Sequence, residues 1–144
     1  MNRNRRFFCG IVALQGILFF YCSSPQSKVA VKFQMYYASG ENIYNARCSN
    51  CHQKSGRGLA LVYPPLERSD YMEKHFEDVI CLIKYGKKGE LIVNGDQFNQ
   101  PMPGVPTLTE LEVSELATYI YNTWGHERGV VEFQEVSKIL ESCN

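Results

Sequence analysis

Histidine is scarce in this chain, with three in 144 residues and none in a His-x-x-x-His spacing, and Cys-x-x-Cys occurs once. A structural zinc site, which needs four ligands at short spacing, is therefore short of ligands. Lysine and arginine, fifteen together against fifteen acids, form no stripe, so nothing marks a nucleic-acid surface. No apolar run is long enough for a stable bilayer span: the best, Phe7 to Tyr21, falls short of the roughly 20 residues a crossing helix needs. The length suits one domain, of about 110 to 120 residues once a removable amino-terminal piece is set aside, which is enough for one small core.

The chemistry that is present sits mainly in one place. Cys48-Ser49-Asn50-Cys51-His52 sets two thiols one helical turn apart, with an imidazole directly after them. This is the spacing by which a chain is joined to haem: each sulfur adds to a vinyl group, and the next side chain is forced to stand over the iron as a ligand. Ser49 and Asn50 need only be small or polar. A thioredoxin-like redox pair would expect a strand before the motif and a helix after it, whereas the residues ahead of Cys48 read as helix.

The six cysteines fall into three pairs. Cys9 and Cys22 lie in a leader, Cys48 and Cys51 take the haem, and Cys81 and Cys143 remain. In an oxidising compartment two leftover thiols invite a disulfide, which the chain-entropy model values at about 4 kcal/mol; a pair of buried free thiols is the other reading. The compartment is read from residues 1–22, where a basic head with Arg3, Arg5 and Arg6 runs into the apolar stretch, the layout of an export signal. Cys22, followed by Ser23-Ser24-Pro25, resembles the lipidated cysteine of bacterial lipoproteins, although Phe19-Phe20-Tyr21 lacks the usual small residue before it. Ordinary cleavage near Ser24 and a retained anchor are the alternatives. Residues 23–34 then form a tether and residues 35–144 the domain. Without the three leader arginines the remainder carries about −3, before two haem propionates are counted.

Periodicity and punctuation give the elements. Residues 36–47 read as a helix with Gly40 and Tyr44 on one face; a mid-helix glycine costs about 1 kcal/mol against alanine, so it points to another helix crossing closely there. The partner is the helix over residues 109–123, opened by a Thr109/Glu112 capping box, faced by Leu111, Leu116, Tyr119 and Ile120, and stopped by Gly125. Ser69 caps a short turn, and residues 75–85 form a helix ending at Gly86, with Val79, Leu82 and Ile83 inward. Asn94-Gly95 between apolar runs predicts a small β-hairpin within residues 89–98. An extra helix closes the chain over residues 130–142, docked by Val131, Phe133, Val136, Ile139 and Leu140.

A second chemical signal is the loop Pro101-Met102-Pro103. A thioether is a soft ligand suited to haem iron, and prolines on both sides restrict the backbone that presents it. Met35 and Met72 are the competing sulfurs, the first placed before the haem helix and the second early in the chain. His75 and His126 are expected to be solvated.

From Tyr36 to Gly125 these features resemble the class I cytochromes c. The Gly40, Tyr44, Cys48 spacing is similar to that family's first helix, and the capped helix with Leu116 and Tyr119 is similar to its later packing partner. The resemblance implies an all-α fold around one covalently bound haem, with first and last core helices crossing at right angles. It also implies Met102 opposite His52 on the iron. Pro64, chosen over the adjacent Pro65, would offer its carbonyl to the His52 imidazole; a plain turn is the alternative at that place.

The function expected is electron transfer by one haem c with His/Met ligation, in an exported, periplasm-facing protein held to the membrane through Cys22. Its partners would be transient redox proteins, with no nucleic acid and no small-molecule substrate. Lys54, Arg57, Lys84, Lys87 and Lys88 would either ring the haem edge and steer acidic partners or form a plain solvated face. A permanent electron-transfer subunit of a dehydrogenase or oxidase is the alternative. A haem peroxidase or gas sensor would need an open distal position, and a two-haem peroxidase would need a second Cys-x-x-Cys-His, so the chain is not expected to be an enzyme.

Overall fold

The structure, a computed structural model, describes residues 27–143. The expected leader, including Cys22, and residues 23–26 of the expected tether lie outside them. Helix α1 runs Lys28–Arg47, with the Ser27 hydroxyl accepting the Ala30 N–H as its N-cap. The helix therefore begins well before residue 36 and takes in residues 28–34, which the sequence assigned to the tether. Nothing between Lys28 and Gln34 breaks a helix, and contacts reward extending it: Lys32 pairs with Glu132 across the fold, and the Phe33 ring lies 5.7 Å from that of Tyr37 one turn on.

The short helix α2 (Ser49–His52) follows directly, then α3 (Asp70–Lys74), α4 (Phe76–Tyr85), α5 (Glu110–Ile120) and α6 (Phe133–Ser142). The largest interface between elements joins α1 and α5. Gly40 sits at their contact: a methyl group there would collide with the Glu115 carbonyl and lie 2.8 Å from Tyr119 Cβ. The helices meet that closely because no side chain separates them. Tyr44, fully buried, and Tyr119 pack beside the contact with ring centres 5.4 Å apart. The capping box opens α5 with the Thr109 hydroxyl accepting the Glu112 N–H and the Glu112 carboxylate accepting the Thr109 N–H.

Two details of α5 differ from expectation. It stops at Ile120 rather than Thr123, with Tyr121 as its C-cap, and Leu111 is exposed, because the inward face is carried instead by Val113, Leu116, Ala117 and Ile120. In α6 the docking residues Val136, Ile139 and Leu140 are buried, whereas Phe133, in the first turn, is exposed. Cys81 and Cys143 stand as a disulfide pair, Cα atoms 5.7 Å apart, joining α4 to the end of α6.

Four short strands complete the domain: β1 (Gly86–Lys87), β2 (Leu91–Val93), β3 (Asp96–Phe98) and β4 (Met102–Pro103). Strands β2 and β3 form the hairpin, turned by Asn94 (φ 53°) and Gly95 (φ 87°), both in the left-handed region that a tight two-residue turn requires. Asp70 and Asn94 lock it to α3 reciprocally, each side chain accepting the other's backbone N–H at 2.9 and 2.7 Å. The second pair, Gly86 against Pro103 and Lys87 against Met102, was not foreseen.

Candidate functional site

The haem motif is one continuous turn. Cys48 ends α1 with its N–H on the Tyr44 carbonyl at 2.9 Å, and the N–H groups of Cys51 and His52 both return to the Cys48 carbonyl, at 3.2 and 3.0 Å. Both thiols and the imidazole are thereby set on a single turn, and neither cysteine is in a disulfide. Burial, and secondarily the neighbouring Cys51, pushes the Cys48 thiol up to about 11.

His52 is buried, with Nδ1 3.0 Å from the Pro64 carbonyl. Burial holds its pKa below the ordinary histidine value, while the Pro64 carbonyl pulls the other way. The neutral ring then donates from Nδ1 and keeps the Nε2 lone pair for a metal. Glycine makes that carbonyl available. Gly58, at φ 66°, donates its N–H to the His52 carbonyl at 3.0 Å, and a Cβ there would come 2.7 Å from Pro64 O. The loop closes again where Gly56 O accepts the N–H groups of Leu66 and Glu67.

His52, Cys48 and Pro64 help wall an apolar cleft, which adjoins a second lobe. His52, Pro64, Leu82, Leu91 and Met102 border both lobes, Cys48 the first and Cys51 the second. Thiols, a neutral imidazole and a thioether around an otherwise apolar cleft suit a covalently held, flat, greasy macrocycle with a metal at its centre. Among the described residues no group of three or more His, Cys, Asp or Glu could hold a metal ion.

Met35 is exposed on α1, whereas Met72 is buried and lines the first lobe only. His75 is exposed as anticipated. His126 is not solvated: its side chain is buried, with Nε2 2.7 Å from the Leu66 carbonyl and its ring 6.1 Å from that of Tyr121. Trp124 (φ 53°) and Gly125 (φ 96°) turn the chain back and carry His126 inside, a bend that the stop glycine hinted at without giving its direction. Lys84 also departs from the basic ring, since its ammonium is spent on the carbonyls of Pro106, at 2.9 Å, and Leu108. Lys54 and Lys88 are exposed, Arg57 pairs with Glu67 at 3.1 Å, and Lys87 borders the second lobe.

Sequence reasoning missed the hairpin's part in the cleft. Leu91 and Val93 line it, and Ile92 between them is half exposed; that alternation was legible in the sequence. It also missed that the Tyr44 hydroxyl donates to Gln53 O at 2.6 Å, tying α1 to the residue after the motif.

A helical fold wrapped around an apolar cleft, with a Cys-x-x-Cys-His turn in its wall, defines a small haem protein of the c type. The cytochrome c family model matches residues 37–124, and the chain belongs to that family. It is 31% identical over 111 residues to cytochrome c-552 of Thermus thermophilus, spanning 71% of this chain and 84% of that one. Cytochrome c-552 of Thermus thermophilus strain ATCC 27634 / DSM 579 matches at the same identity, over 74% of its length. The cofactor is haem c, covalently attached and carrying iron, and the chain's role is haem-based electron transfer.

Proposed function

We propose that this chain is a single-haem electron carrier of the cell envelope, with His52 and Met102 as the two axial ligands and a lipid on Cys22 as its tether. The observation that carries the ligand pair is that His52 and Met102 border both lobes of the same cleft, while the other two methionines of the domain do not. The haem supplies an iron that accepts and returns one electron. Cys48 and Cys51 hold it permanently, and Pro64 fixes the His52 ring by accepting from Nδ1. The thioether of Met102 favours the reduced state more than a second imidazole would, raising the potential. With side chains on both faces no position is left for oxygen or peroxide, so no substrate bond is made or broken.

The apolar walls exclude water. Leu59, Leu61 and Val62, exposed in the loop leading to Tyr63 at the cleft border, offer a small apolar surface to donor and acceptor proteins. The leader at residues 1–22 and the periplasm-facing location belong to the same reading, supported by the export layout of the sequence. Residues 23–27 and the N-terminal helix then connect lipid to domain.

The test is Met102→Ala in protein matured with haem. The sulfur-to-iron absorption band of the oxidised form should vanish and the midpoint potential should fall; an unaltered spectrum would remove Met102 from the site. Mass measurement of the mature chain should find diacylglycerol on Cys22, and a start at Ser24 or Met1 would reject the lipid tether.

A further inference from the structure

The loop that carries Met102 is seated on the end of α4 with unusual closeness. Gly86, the C-cap of α4, and Gly104 stand back to back. A Cβ on Gly104 would collide with the Tyr85 carbonyl carbon and lie 2.5 Å from Gly86 N and 2.7 Å from Lys84 O. A Cβ on Gly86 would collide with Met102 O and lie 2.5 Å from Gly104 N. Every one of those atoms is backbone, so no side chain can rotate away. Non-bonded carbon contacts settle at about 3.5 Å or more, and the two segments would have to part by about 1 Å to admit one methyl group. Gly86 also has φ 80°, whereas Gly104 is not in the left-handed region.

The rest of the seat surrounds this contact. Gly86 pairs with Pro103 and Lys87 with Met102 as β1 and β4, Val105 N–H donates to Ile83 O at 2.9 Å, and Lys84 holds the carbonyls of Pro106 and Leu108. Helix α4 also supplies Leu82 and Ile83 to the cleft wall. One rigid element thus bears both the floor of the cleft and the mount of the sulfur.

We infer that the Gly86/Gly104 contact is a positioning device: it sets how far the Met102 sulfur reaches into the cleft, and through that reach the strength of its bond to iron. The inference rests on Met102 being the distal ligand. A separation of about 1 Å at the mount is large against a metal–ligand bond, and covalent attachment through Cys48 and Cys51 prevents the haem from following the sulfur. Weakening this bond removes the ligand that favours the reduced state, so the potential follows the glycine contact.

Four holoprotein variants separate the causes. Met102→Ala is the reference for a lost ligand. Gly104→Ala adds the collision without a left-handed φ penalty. Gly129→Ala adds the φ penalty without a collision, since Gly129, away from the cleft, has φ 85° and open space around its missing Cβ. One glycine inserted between Pro103 and Gly104 breaks the back-to-back register while adding no Cβ, and covers the case where Gly104→Ala does not fold. Each is read by haem retained after denaturation, far-ultraviolet dichroism, the sulfur-to-iron band of the oxidised protein and the midpoint potential. Gly104→Ala and the insertion should keep haem and helices, lose most of the band, and shift the potential toward that of Met102→Ala; Gly129→Ala should keep band and potential. A wild-type band in folded Gly104→Ala or in the folded insertion overturns the inference, as does equal loss in Gly129→Ala. A band that survives in Met102→Ala overturns instead the ligand assignment on which the inference stands.

Discussion

The two sides of the cleft are built in opposite ways. The His52 side is a single run of chain: Cys48 to Glu67 closes on itself through Cys48 O, Gly58 N–H, Gly56 O and the His52–Pro64 contact, all within twenty residues. The Met102 side has no such local closure. Its sulfur is held by pairings with β1, by α4 and by Lys84, which lie about fifteen to twenty-five residues away in the chain. A covalently stapled ligand can rest on local structure, whereas a ligand attached only by coordination depends on how well distant pieces of the fold stay docked. Disturbances of the fold should therefore reach the iron through the methionine first.

The largest expected effect tests that asymmetry directly. Removing the Cys81–Cys143 bridge by the double change to serine releases α4 from the end of α6, across a sequence separation of 62. The chain-entropy model gives a loss of about 4 kcal/mol. Thermal scans should show the sulfur-to-iron band fading before haem-side absorption changes, and simultaneous loss would erase the distinction between the two sides. Next is Gly58→Ala, which drives a Cβ against the Pro64 carbonyl; with the left-handed φ it should cost about 2 kcal/mol and perturb the His52 side while sparing the Met102 band. Chemical denaturation together with the oxidised spectrum checks both halves of that expectation.

Lys84→Met should be milder. It strips the donors from Pro106 O and Leu108 O while keeping the aliphatic stem, a loss of about 1 to 2 kcal/mol, again felt as a weaker methionine band. The smallest effect is a pH dependence at the hairpin lock. The Asn94 backbone N–H, and after it Lys74, hold the Asp70 carboxyl below the usual range. A depressed acid contributes stability that is present above its unfolded pKa and is lost as pH falls through the folded one, so hairpin docking should loosen on acidification below about pH 4. Hydrogen exchange at Asn94 across that window should reveal it, and Asp70→Asn should flatten the response.

Legibility followed the same division. The Cys48–His52 turn, the Thr109/Glu112 cap and the Asn94-Gly95 hairpin could be read because each is a pattern within a few residues whose physics is local, and the long-range contact at Gly40 because a mid-helix glycine itself marks a close crossing. Met102 was legible only as a type of atom in a constrained loop; its mount, with Gly86, Gly104 and Lys84, depends on which segments meet in space. The same limit explains His126, placed in solvent by its neighbours in sequence and inside by a left-handed bend. It also explains α1, whose first turns looked like linker because their reward, the Lys32–Glu132 pair, lies a hundred residues away.

The length of α1 has a mechanical meaning. Twenty residues at 1.5 Å each make a rod of about 30 Å, with Ser27 at one end and Cys48 at the other. Whatever grips the chain ahead of Ser27 therefore meets the domain about one helix length from the haem turn, at the opposite end of a rod that packs against α5.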